Sequence, residues 1–307
     1  MEFPRTLLEF SEVFPDEMAC WRALRRARWP RGFRCPRCGH RRSSHLVKRR
    51  LEQCCRCRYQ ASVTAGTVLH RTQVPLRVWF LGIFFMARHK RGISALQFQK
   101  DAGLGSYQTA WSLLQKLRAA MARENPRELF GLVEVDETYV GATRERGLRG
   151  GREVGHKTIV VGAVEQRGDG AGALHLQVLE GITFQRDLGP FVYQTIDAQR
   201  AIVRTDGLAS YRSLPAAGFH HERRVESHRR RAKEILPQIH LVFTNLKAWI
   251  RGTFHGVSKK HMQRYLDEFV FRFNQRGDEY GLLQALLTQA ARSEPCPYAR
   301  LTAETIG

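Results

Sequence analysis

The sequence is short of acid. Its 307 residues include 29 aspartates and glutamates against 50 lysines and arginines, a formal net charge of +21 with a pI near 10.4. An excess of that size says nothing about fold, but it selects partners. Polyanions, nucleic acid foremost, draw lysine and arginine. Long apolar runs are missing too. The longest uncharged candidate, Val78–Ala87, is far too short to span a bilayer, which argues against a membrane partner. The N-terminal MEFPRTLLEFSEVFPDE is acidic and lacks a signal-peptide pattern, so a cytoplasmic protein is expected. Cysteine is scarce outside one place: of seven, five crowd into residues 35–57. An odd number, clustered, in a reducing compartment points to metal rather than disulfides. Cys20 and Cys296 read as small buried hydrophobes.

The cluster has a spacing. Cys35-Pro36-Arg37-Cys38 and Cys54-Cys55-Arg56-Cys57 form two C-x2-C knuckles with fifteen residues between Cys38 and Cys54. Two tight knuckles each present two sulfurs, and together they close a tetrahedron of Cys35, Cys38, Cys54 and Cys57 around Zn²⁺. Pairing Cys55 with Cys57 instead gives C-x-C, a poorer knuckle. His40 is either a substitute ligand or a solvated turn residue. So small a segment needs the metal to fold. Residues 1–65 are therefore a zinc ribbon preceded by helices over 7–28 that break at Pro15. The ribbon grips DNA, contacts a partner chain, or only stabilises the N-terminus.

Residues 66–127 read as helical. Leu76–His89 has a thick apolar face, a short helix begins near Ser94 as N-cap, Ala102–Gly105 breaks it, and a third helix runs from Ser106 to Arg123. Ala110, Leu113, Leu114, Leu117 and Met121 form its apolar stripe, with Lys116 and Arg118 off that stripe. A short helix, a glycine turn and a longer helix match the helix-turn-helix pattern, in which the third helix enters a major groove; a plain three-helix bundle is the alternative. Glu124-Asn125-Pro126 marks a boundary.

From 128 to 307 an α/β pattern takes over. Gly131–Gly141 (GLVEVDETYVG) is a strand in which apolar and polar residues interchange. A carboxylate in mid-strand is costly to bury unless paired or metal-bound, so Asp136 is either a metal ligand in an α/β sheet or a residue on a solvated face beside Glu134. The arginine-rich loop Gly141–Lys157 contacts phosphate or is a hairpin tip. Thr158–Glu165 and Ala173–Leu179 complete a meander. Phe184–Gln199 has helical stretches, and the strand Ala201–Thr205 ends in Asp206-Gly207, either chemistry at a strand end or a turn aspartate. His220–Lys233 is strongly basic, a solvated face or a path for a phosphate backbone. His240 and Lys247, seven apart, share a face of the helix that follows, with Arg251 four residues beyond Lys247. Lys259–Gln275 is the last long helix, in which Glu268 and Arg272 pair at i,i+4. Gly281–Ala291 is one more.

Three strands, a helix, then a strand ending in a carboxylate is the layout of a ribonuclease H-like domain, in which acids from separate elements hold two divalent ions. SVTAGT at 62–67, VDETYVG at 135–141, TDG at 205–207 and GTFHGVSKKHMQRYLDEFVFRFNQR at 252–276, with the cysteine knuckles, carry a resemblance. The chain resembles, over nearly its whole length, the zinc-ribbon DDE-type transposases of bacterial insertion sequences, of the IS1595 type. The resemblance implies that Asp136 and Asp206 are the first two catalytic carboxylates and bind Mg²⁺ or Mn²⁺, and that Lys247 contacts DNA. It implies a nucleoid-associated enzyme that acts on double-stranded DNA as a homo-oligomer. Counting back seven from Lys247 gives His240 where the family pattern expects glutamate; Asn245 is the other candidate for that third position. Imidazole binds Mg²⁺ less well than carboxylate, and Glu137 or Glu268 are further sources of negative charge.

Overall fold

The computed structural model describes residues 4–122, 127–141, 157–225 and 235–303. Near the N-terminus, α1 (Leu7–Val13) and α2 (Glu17–Arg28) each start at a side-chain oxygen. Thr6 accepts from the Glu9 N–H and Asp16 from the Ala19 N–H. Three short antiparallel strands follow, β1 (Ser43–Leu46), β2 (Leu51–Cys54) and β3 (Gln60–Ser62). Buried Glu52 on β2 accepts from Arg25 Nε at 2.6 Å and the Ser43 hydroxyl at 2.5 Å, tying the ribbon to α2. Next come α3 (Leu76–Arg88), α4 (Ala95–Asp101) and α5 (Tyr107–Met121). Ser94 caps α4 as expected, Ser106 caps α5, and Gly103, at φ +63°, makes the turn between them.

The second unit, Arg123–Asn274, is built on a five-stranded mixed sheet. β4 (Leu129–Val140), β5 (Thr158–Arg167) and β6 (Gly170–Leu179) form an antiparallel meander. A π-helical turn at Phe184–Leu188 and α6 (Gly189–Thr195) lead into β7 (Ile196–Thr205), parallel to β4. β7 starts five residues earlier than the sequence suggests, because the helical stretch stops at Thr195. β8 (His220–Arg223) runs parallel to β7, so the basic stretch begins as a strand; its later part, 226–234, and the loop 142–156 lie outside the described residues. The sheet order is β6-β5-β4-β7-β8.

Alternation along β4 feeds two cores. Val133 and Val135 join one with Phe191, Val192 and Val203; Val140 joins another with α7 (Pro237–Trp249) and α8 (Lys259–Asn274). Gly162 on β5 lets α7 lie close: a Cβ there would sit 2.8 Å from Ile239 Cδ1 and 3.0 Å from Phe243 Cε1.

The chain divides differently from the three segments 1–65, 66–127 and 128–307. Its last helices, α9 (Glu279–Arg292) and α10 (Tyr298–Thr302), belong with residues 1–122 in one compact unit. α9 packs against α2, α3 and α5. That cover explains a second correction. Arg118 is 1% exposed rather than on a solvated face, because α5 is buried on more sides than its apolar stripe alone reveals.

Candidate active site and metal centre

In the ribbon, each knuckle is a tight backbone turn. The Gly39 N–H donates to the Cys35 carbonyl and the Arg58 N–H to that of Cys54. Gly39 (φ +73°) and Arg58 (φ +61°) adopt the left-handed conformation that such turns need. The sulfurs of Cys35, Cys38, Cys54 and Cys57 all lie within 4.8 Å of one another. Cys35–Cys57 and Cys38–Cys54 are each 3.6 Å apart. A tetrahedron with zinc–sulfur bonds of 2.3 Å has edges of about 3.8 Å, so the donor set fits Zn²⁺. Burial raises the Cys54 thiol, but the Cys57 and Arg56 backbone N–H groups outweigh it and bring it down to about 6. Cys54, as its spacing suggests, is the member of the Cys54-Cys55 pair whose sulfur joins the cluster, while Cys55 is exposed.

The second site grows from β4. Leu132 pairs with Ile202 of β7 and Glu134 with Arg204. The printed ladder ends there, and Asp206 follows one residue after the end of β7 at Thr205, close enough to Asp136 for the one carboxylate to raise the other. The Leu208 N–H donates to Asp206 Oδ1 at 2.9 Å and fixes its turn. Asp136 is 7% exposed. Burial raises its carboxyl, and the carboxylates of Glu137 and Asp206 raise it further, to about 8; Lys247 pulls the other way. The carboxylates of Asp136, Glu137 and Asp206 gather here, and hard oxygen donors of this kind fit a divalent cation.

α7 supplies the opposite wall. His240 Nε2 is 3.7 Å from Asp136 Oδ2. Lys247, two turns on, shares that face. Its ammonium pKa is lowered, chiefly by burial, with Asp136 opposing. Asn245 is exposed and lies about 140° round the helix from His240, so His240 and not Asn245 meets Asp136. Arg251 is exposed in a π-helical turn, Ile250–Phe254. Glu268 is fully buried and paired with Arg272 at 3.4 Å, serving the packing of α8. Glu137 accepts from the Tyr211 hydroxyl at 2.8 Å, tying β4 to the turn of 3-10 helix after Asp206, Ala209–Ser213. In the first unit, Lys116 lines a cleft of about 310 Å³ with Arg71, Gln73, Gln108 and Ser112.

Residues 128–274 match the ISXO2-like transposase domain, and residues 15–60 match the transposase zinc-ribbon domain. The two together take in well over half of the chain. This chain belongs to the zinc-ribbon transposases of the IS1595 type. A Halobacterium salinarum protein, described as uncharacterised and lying in the transposable element ISH50, is 32% identical over 143 residues, which is 45% of this chain. The match spans 46% of that relative's length. Among the described residues, no helix of this transposase is long and apolar enough to cross a membrane.

Two functional contacts of the transposase domain escaped sequence reasoning. One is the Tyr211–Glu137 bond. The other is Glu134, whose Oε2 accepts from the N–H groups of Gln238 and Ile239 at 2.8 and 2.9 Å. A signal for it existed. α7 opens with Pro237 and has no side-chain cap of its own, while Glu134 shares the face of Asp136 on a strand otherwise rich in valine.

Proposed function

We propose that this chain is the transposase of an insertion sequence, that its second unit is a ribonuclease H-like catalytic domain, and that it cuts and joins DNA by metal-dependent phosphoryl transfer. The observation that carries this is the nearness of Asp136, on β4, to Asp206, just past the end of the parallel strand β7, with burial and the neighbouring carboxylates of Glu137 and Asp206 raising the Asp136 carboxyl to about 8. These two aspartates would hold Mg²⁺ or Mn²⁺. Divalent ions bound there would polarise the phosphodiester and stabilise both attacking and leaving oxygens. The chain's own groups do the rest. His240 borders Asp136 and orients the scissile phosphate or a water. Lys247, on the same helix face, pairs with the DNA backbone, and Arg251 extends that contact.

The terminal inverted repeats are bound as double-stranded DNA by the first unit. α4 and α5 act as a helix-turn-helix, and Lys116 reaches phosphate from the cleft beside α5. Ten exposed lysines and arginines between Arg31 and Arg58 against one buried acid, Glu52, support a ribbon that also grips phosphate. Joining two element ends calls for a homo-oligomer, working in the cytoplasm on the nucleoid.

Labelled element ends incubated with Mg²⁺ or Mn²⁺ test the reading. The wild-type chain nicks and transfers them; Asp136→Ala binds them as well but transfers none. Strand transfer by Asp136→Ala at the wild-type rate refutes the site. His240 at a position where the family pattern has an acid favours a second reading, a DNA-binding protein that has lost catalysis. Binding without metal-dependent nicking by the wild-type chain selects that one.

A further inference from the structure

Glu134 joins the strand that carries Asp136 to the helix that carries His240. It is fully buried, two residues before Asp136 on the same face of β4. Its Oε2 takes both of the first free amides of α7, those of Gln238 and Ile239, across 104 and 105 residues of sequence. The next residue of α7 is His240, 3.7 Å from Asp136. The strand advances about 6.6 Å from Glu134 to Asp136. We propose that Glu134 is a positioning residue that sets the depth and rotation of α7 on the sheet, and so holds His240 and Lys247 against Asp136.

The chemistry of the contact favours that role over plain stability. A helix start is ordinarily capped by a serine, threonine or aspartate of its own chain segment, on the surface. Here the cap is a fully buried carboxylate, and its Oε1 makes no hydrogen bond among the described residues. A fully buried carboxyl group is an expensive way to end a helix. Its value lies in direction: one oxygen receiving two convergent N–H bonds fixes the helix in space, whereas an apolar contact permits sliding. Glu134 touches neither substrate nor metal in this account; it acts through the residues on α7.

This inference rests on the function proposed above, and its test separates the two. In the full-length protein, Glu134→Gln keeps the reach and loses the charge, whereas Glu134→Asp keeps the charge and is one carbon short. If reach sets the geometry, E134Q cleaves element ends within about tenfold of wild type, and E134D and Glu134→Ala fall roughly a hundredfold, as misplacement by an ångström does. Amide exchange at Gln238 and Ile239 stays slow in E134Q and speeds about tenfold or more in E134D, as local opening requires. Binding of element ends is the same in every variant that folds. E134D equal to or better than E134Q in cleavage and exchange overturns the proposal, because charge and not placement is then what matters. So does wild-type cleavage and exchange in all three variants. A wild-type chain that never cuts element ends refutes the catalytic function, and the exchange order of E134Q and E134D then decides the positioning role alone.

Discussion

Asp136 keeps a proton at neutral pH unless a cation takes its place. Its carboxyl rises from 3.8 to about 8, first by burial and then by repulsion from Glu137 and Asp206. Between those values the folded protein binds more protons than the unfolded chain, so the metal-free protein loses stability as pH rises from about 4 to about 8, and levels off above that. Asp136→Asn removes the penalty. At pH 8–9 and without divalent metal it melts higher than wild type, by on the order of 1–3 kcal/mol, while cleavage is abolished. A lower melting temperature for the variant under those conditions contradicts the burial and repulsion described. Mg²⁺ held as proposed would compete with the same proton, so its apparent affinity is expected to strengthen as pH rises towards 8, which calorimetry at several pH values reads directly.

Single elements were legible in the sequence where their signals are local. The knuckle spacing named all four sulfurs of the ribbon, and a serine cap marked the start of α4. The strand around Asp136 announced itself by its alternation, and the seven-residue step put His240 and Lys247 on one face. What failed to show depends on neighbours distant in sequence. Arg118 looked solvent-facing because a stripe reveals one side of a helix and not what covers the others. The cap on α7 was invisible because its donor and acceptor lie on different elements, and periodicity carries no trace of such a pair. The ribbon is the element most dependent on a bound group: Phe33, Cys35, Cys54 and Ala61 make up its buried cluster. Stripping zinc with a strong chelator unfolds residues 31–60, exposing them to protease, and leaves the β4–β7 sheet protected. A ribbon that resists protease after metal removal would rule out the thiolate centre as its organiser.

At the scale of the molecule, one unit is discontinuous and the other is an insertion within it. α9 carries buried Leu282, Leu283, Leu286 and Leu287 into a unit otherwise made from residues 1–122. Leu286→Ala costs that unit about 2–5 kcal/mol. Thermal melting and element-end binding register the loss, while amide exchange along β4 does not change. Slower binding with no loss of stability, or faster exchange on β4, contradicts the division of the chain at 122 and 275.

The discontinuity also orders events at the ribosome. Every residue of the catalytic sheet has been synthesised before α9 emerges, so the unit that begins first is finished last. A nascent chain stalled between residues 225 and 278 carries β4 to β8 whole but an open helical unit, with the faces of α2, α3 and α5 that α9 packs against still wet. On the function proposed, the unit that would hold element ends closes only after the strand that bears Asp136 is complete.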